Sequence, residues 1–137
     1  MLTSHRARAL RSGRGSVAVE YAFIVPALLL FVLGIMDTGR LIWTYATLNR
    51  AAQAAARCAS VDAATCGTAA QIQSYAVTQA YGLTIATTAF TPTTVACGSR
   101  VAASYLFQFI IPWTGASPYG TSNSVTLNAT ACYPPSH

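Results

Sequence analysis

The sequence predicts an α+β protein: a long N-terminal membrane-spanning α-helix, a short second helix, and a small antiparallel β-sheet with a C-terminal hairpin. Three observations predict it. An uncharged apolar run lies near the N-terminus. A helical repeat of apolar and small side chains continues past the end of that run. Beyond Thr84 the pattern changes to β-branched and alternating segments.

Charge narrows the class before any element is drawn. Only 8% of the 137 residues are charged, against about 25% in an ordinary soluble domain. The formal net charge of +5 is concentrated at one end. Arg6, Arg8, Arg11 and Arg14 precede Ser16 with no acid among them. After Ser16, Arg40, Arg50, Arg57 and Arg100 face Glu20, Asp37 and Asp62. A nucleic-acid surface needs basic residues spread over a folded face, so that class is set aside. Arginines beside an apolar run instead mark the side of a membrane that stays cytoplasmic.

Residues 1–15 read as a disordered leader of Arg, Ser, Gly and small residues. Residues 16–59 read as one long helix, regular from about Val17 to about Ala59. From Tyr21 to Met36 there is no charge. At about 1.5 Å per residue, Ser16–Met36 spans roughly the 30 Å hydrocarbon core. Pro26 suits a membrane helix better than a soluble one. Beyond the run, Leu41, Tyr45, Leu48, Ala52, Ala55 and Ala59 form one stripe at helical spacing, while Arg50 and Arg57 share another face. The small side chains of the Ala-rich end allow close packing.

Residues 60–137 read as a small extracytoplasmic α/β domain. SVDAATCG over 60–67 is a turn. A short helix follows: Thr68 and Gln71 have capping-box spacing, Ile72, Tyr75, Ala76 and Ala80 form its stripe, and Gly82 suits its C-terminal cap. Strand character begins at Thr84 in TIATTAF. Arg100–Ile111 is a strand with Val101, Ala103, Tyr105, Phe107 and Phe109 on one face. Trp113–Asn123 is a loop. Ser124–Tyr133 is a strand with Val125, Leu127, Ala129 and Ala131 on one face.

Cys58, Cys66, Cys97 and Cys132 all follow the apolar run, so they lie outside the cytoplasm if the leader stays inside. Disulfides persist there. A hairpin folding in the 113–123 loop brings Cys97 near Cys132, with Cys58–Cys66 closing the turn between the helices. Four cysteines allow three pairings, and the sequence alone leaves them open. No CxxC pair is present, so a structural zinc site is disfavoured.

The segment Arg14-Gly15-Ser16-Val17-Ala18-Val19-Glu20-Tyr21, running directly into apolar sequence, carries the functional signal. It resembles the processing site of type IV prepilins, and its Glu-Tyr pair looks like the Flp/Tad branch. That resemblance implies cleavage by a membrane prepilin peptidase after Gly15. Ser16 is then the first mature residue, Glu20 the fifth and Tyr21 the sixth. Residues 15–57 are similar to the TadE family of minor pilins, with Pro26 six residues after Glu20, the Gly34–Arg40 stretch and the Ala-rich end at Arg57. The strand pair over 100–133 is similar to that family's tail, less specifically. The resemblance implies a non-enzymatic pilus component without cofactors. Its implied partners are prepilin peptidase, other pilin and minor pilin subunits, the inner-membrane assembly machinery and the lipid bilayer. It also implies a bacterial inner-membrane, single-pass protein with a periplasmic C-terminal domain, exposed in an extracellular pilus after assembly.

Physical reasons stand beside the resemblance. A glycine ahead of the helix leaves the backbone extendable into a protease. A cut there removes four arginines and creates an amine at Ser16. Glu20 then lies near the positive end of the helix dipole. A carboxylate in lipid requires a partner, and a neighbouring subunit's amine offers one. A bland reading of Glu20 puts it at the cytoplasmic membrane surface. Asp37 and Arg40 read as an ion pair on the helix surface at the outer membrane boundary, with no chemistry assigned. His5 and His137 lie at the extremes and anchor no catalytic triad. The rival architecture is an uncleaved single-pass anchor with an outer assembly or binding domain. An ordinary signal peptide fits poorly, because the helical pattern continues past the apolar run.

Overall fold

Apolar periodicity near the N-terminus becomes a single helix, α1 (Arg14–Val61), in the computed structural model, which describes residues 14–110 and 123–135. After it come α2 (Ala63–Cys66), α3 (Ala69–Gln79), a 3-10 turn (Thr87–Ala89), β1 (Phe90–Val95), β2 (Gly98–Gln108) and β3 (Ser124–Tyr133). The chain divides into two units between Ile35 and Met36.

In the first unit, every side chain from Val17 to Leu33 is exposed. Among the described residues this is the helix long and apolar enough to cross a membrane. Pro26 lies inside it and deprives the Ala22 carbonyl of its helical donor. The helix begins at Arg14, three residues before the expected Val17. Gly15 is therefore in the first turn rather than ahead of it. The first four N–H groups of a helix need no intrahelical acceptor, so a turn can extend back over Arg14 and Gly15 at little cost. The rest of the expected disordered leader, residues 1–13, lies outside the described residues.

The second unit is built on the C-terminal half of α1. Leu48, Ala51, Ala52, Ala55 and Ala56 are fully buried against Ala76 and Ala80 of α3, Phe90 of β1, Val101 and Ala103 of β2, and Ala129 of β3. The buried line also takes in Asp37, Thr44 and Cys58. Tyr45, expected in the stripe, is 49% exposed. The buried face is rotated from the expected one: it admits two polar side chains, Asp37 and Thr44, and excludes the tyrosine. Arg50 and Arg57 are both exposed, as expected.

The turn expected over 60–67 contains the one-turn helix α2. Asp62 starts it by accepting from the Ala64 and Thr65 amides at 3.1 Å each. The Thr65 hydroxyl and these amides hold the Asp62 carboxyl below its usual range. Its stabilising contribution is present above the unfolded value and fades as pH falls through the lowered folded one. Cys58 is bonded to Cys66 across this turn, with their Cα atoms 5.7 Å apart. Then α3 opens with the anticipated capping box between Thr68 and Gln71. Its C-cap is Ala80, not Gly82. Gly82 instead supplies the positive φ, 77°, of the turn that follows.

The sheet has the order β1-β2-β3, antiparallel throughout. Strand structure begins at Phe90 rather than Thr84. Thr87–Ala89 closes its own turn, with the Ala89 amide on the Ala86 carbonyl, and so leaves the ladder. In the β2–β3 ladder Val101, Ala103, Tyr105 and Phe107 face Ala131, Ala129, Leu127 and Val125. These are the residues expected on the two inner faces. Most of the expected 113–123 loop lies outside the described residues. Cys97 is bonded to Cys132 at the open end of the hairpin, with their Cα atoms 6.3 Å apart. Gly98 starts β2 at φ 116°, and a Cβ there would overlap the Tyr133 carbonyl.

Edge β1 carries Pro92 opposite Val101. The Phe109 amide donates to the Asn123 carbonyl, 2.8 Å, which sets the ladder's parity. Odd residues of β2 bond β3 and even ones bond β1. Pro92 is thus at a position whose missing N–H points outward. Beside it, the outward carbonyl of Phe90 accepts from Gln73 Nε2 at 2.9 Å.

The Cys97–Cys132 bond closes a loop with a sequence separation of 35. Replacing both cysteines with serine should lower stability by about 4 kcal/mol on the chain-entropy account. Denaturant unfolding of the detergent-solubilised protein checks this. The shorter Cys58–Cys66 loop should cost less when removed in the same way.

Candidate functional site

The residues expected to direct processing lie on the first turns of α1. Gly15 is exposed, and outside its own stretch of helix no described atom lies within 4 Å of where a Cβ would be. Ser16 and Glu20 are four residues apart along α1. Glu20 is exposed and Tyr21 is 61% exposed. Glu20 is the only acid between Arg14 and Met36. An exposed carboxylate on an apolar helix has a definite chemical capacity. It can take a cation from outside the chain, and a lipid environment would make that pairing strong.

A second constellation belongs to the other unit, and sequence reasoning gave it no role. Asp37 is 2% exposed. Its Oδ1 accepts from Arg40 Nη1 at 2.8 Å, and its Oδ2 accepts from the Ile110 backbone N–H at 2.9 Å. The Arg40 guanidinium also lies 5.2 Å from the centroid of the Phe107 ring. That ring meets Phe109 edge to face, with centroids 5.2 Å apart. Asp37 is therefore not one half of a surface ion pair. It is a buried carboxylate that ties the base of the unit's helix to the end of β2, across 73 residues of sequence. The sequence held one signal of this: Asp37 is seven residues before Thr44 and eleven before Leu48, on the buried face.

The four cysteines form two disulfides and none is free. Among the described residues there is no group of three His, Cys, Asp or Glu side chains arranged to hold a metal ion.

An exposed apolar helix followed by a small disulfide-bonded α+β unit is compatible with a single-pass membrane protein of a pilus system. Residues 15–57 match the family model described as TadE-like protein. The match supports a TadE-like protein of the Tad pilus system, and that family is one of structural components. No curated protein and no solved structure matches the chain.

Replacing Asp37 with Ala leaves the Ile110 amide and the Arg40 guanidinium without their carboxylate. The expected loss is about 1.5–3 kcal/mol, the range for hydrogen bonds to a charged group. Chemical unfolding measures it, and amide exchange at Ile110 should accelerate in the native state. Asp37→Asn, which keeps an acceptor, should lose less.

Proposed function

We propose that the chain is a minor pilin or pseudopilin: a non-enzymatic structural component of a Tad/Flp-type pilus, acting in pilus assembly, adhesion or secretion. Prepilin peptidase cuts it after Gly15. Residues 1–15 are the leader, residues 16–59 the long helix, and residues 60–137 the outer domain. The helix holds the chain in the inner membrane, with the outer domain periplasmic, until it joins other pilin subunits. The observation that carries this reading is the lone exposed Glu20 on the apolar helix, five positions after Gly15. The family match over 15–57 supports it.

The cut has an electrostatic consequence. It removes four of the eight basic residues and all of the excess at the N-terminus. The new α-amine at Ser16 carries a positive charge at neutral pH. It meets the need of a Glu20 carboxylate on an adjacent subunit displaced along the filament. Such a pair would favour staggered packing of helices, because each amine reaches an acid one turn away on its neighbour. The second reading, an uncleaved anchor, draws on the inclusion of Gly15 in the first helical turn.

N-terminal sequencing and intact mass of membrane-extracted protein separate the two readings. We expect a chain that starts at Ser16, and a full-length chain when Gly15 is replaced by a bulky residue. A wild-type chain that keeps its leader would refute the pilin reading. Glu20→Gln should be processed yet lost from sheared pili, as judged by immunoblotting. Normal incorporation of that variant would remove the proposed role of the carboxylate.

A further inference from the structure

The Asp37 constellation leads to an interaction surface at the lower end of β2. Asp37 directly follows the uncharged run that ends at Met36, and its carboxylate holds the Ile110 amide. Ile110 is 64% exposed and Leu106 is 55% exposed. On the helix, Trp43 is 63% exposed, and the Arg40 side chain is 48% exposed. Arg40, Trp43 and Leu106 border one groove of about 550 Å³. From Val101 to Ser136 the sequence contains no Asp, Glu, Lys or Arg. The whole hairpin segment is therefore uncharged, and its β2 strand runs toward the helix turn where the apolar run ends.

We infer that this surface is a lipid-contacting one, with Ile110 at the acyl boundary and Arg40, Trp43 and Leu106 in the headgroup layer. The inference rests on the reading that the apolar run lies in a bilayer. Backbone chemistry fixes the order of depth. No backbone polar group can enter hydrocarbon without a partner. The Ile110 amide has one in Asp37, so its apolar side chain can approach the acyl chains. Leu106 and Gln108 are different. Their N–H and C=O groups point to the β1 side of the sheet, and β1 pairing ends at Phe90–Ala103. The N–H groups need water or headgroup oxygens, the carbonyls need water, and this stretch must therefore stay higher.

The helix side agrees. Asp37 to Trp43 is a rise of about 9 Å, comparable to a headgroup layer of roughly 5–8 Å on each side of the core. A helical side chain leans toward the N-terminus of its helix, which lowers the Trp43 ring toward Arg40. Tryptophan favours this zone because its ring is apolar and its N–H is polar. Arg40 uses Nη1 on Asp37, and a guanidinium has five N–H donors, so donors remain for a phosphate. A protein partner would also accept exposed leucine and isoleucine. The position of Asp37 directly after the apolar run in the sequence, together with a hairpin free of charge, favours lipid.

Single-tryptophan variants of the full chain in phosphatidylcholine–phosphatidylglycerol vesicles test this. The chain has two tryptophans, Trp43 and Trp113. Trp113→Phe leaves Trp43 as the reporter. Trp43→Phe with Trp113→Phe then receives Ile110→Trp, Leu106→Trp or, as a control on the exposed sheet face, Thr130→Trp. Each variant is read with lipids brominated at a shallow or a deep chain position and with aqueous iodide. Insertion itself is scored separately by flotation and resistance to alkaline extraction.

Ile110→Trp should show the greatest loss of emission with brominated lipid and a blue-shifted spectrum. Trp43 and Leu106→Trp should be quenched more by shallow than by deep bromine. Thr130→Trp should respond to iodide alone. If an inserted chain shows Ile110→Trp quenched by iodide as fully as the control, the surface faces water and the inference fails. If that reporter is silent to both quenchers, protein covers the surface and the inference fails as well. A chain that does not insert sinks the membrane reading instead.

Discussion

The second unit depends on how closely its layers can approach α1. At Ala51, Ala52, Ala55 and Ala56 the helix presents nothing larger than a methyl group, and all four are fully buried. Bulkier side chains there would hold the sheet and α3 away, because packed interiors have no spare volume. Larger groups meet beside this patch: Phe90 and Val101 from the sheet and Leu48 from the helix itself, none with exposed area. The helix surface is therefore graded, with the bulky Leu48 followed by a smooth alanine patch. Each disulfide sits at the margin of this contact. Cys58–Cys66 secures the turn leaving the helix, and Cys97–Cys132 secures the end of the hairpin.

Much of this was legible in residue patterns. The long helix, the capping box at Thr68 and Gln71, and the inner faces of β2 and β3 follow local rules of period, capping and alternation, which do not need distant partners. The disulfide partners were less constrained, because spacing left three pairings open until the hairpin register was known. What could not be read depends on tertiary partners. Asp37 looked like a surface residue because charges are usually exposed. Its burial is made possible by an amide 73 residues away that no local pattern announces. Tyr45 was assigned inward for the complementary reason: its chemistry is apolar enough for a core, but Thr44 occupies the inward angle. TIATTAF has strand chemistry over its full length, yet only its last residue, Phe90, finds a partner on β2.

The candidate site divides in the same way. Gly15, Glu20 and Tyr21 were found by their spacing in the sequence, and a helix preserves such spacing directly. The Asp37 cluster exists only through folding. The two also make different physical demands. Glu20 is exposed on its helix, so a lipid environment would demand a countercharge for it. Asp37 obtains its charge and hydrogen-bond partners within its own unit. In the proposed reading one acid serves assembly, while the other holds the folded unit together.

Strand β1 carries a further consequence through its outer edge. An open sheet edge is a template for unintended pairing, and proteins commonly protect it with charge. This chain has few charges to use. Its edge is blunted by other means: Pro92 has no amide to offer, and the Phe90 carbonyl is already held by Gln73. The protection survives changes in salt and pH because no ionised group takes part. The β1 edge thereby resists strand-to-strand pairing under conditions that would weaken a guard made of charge.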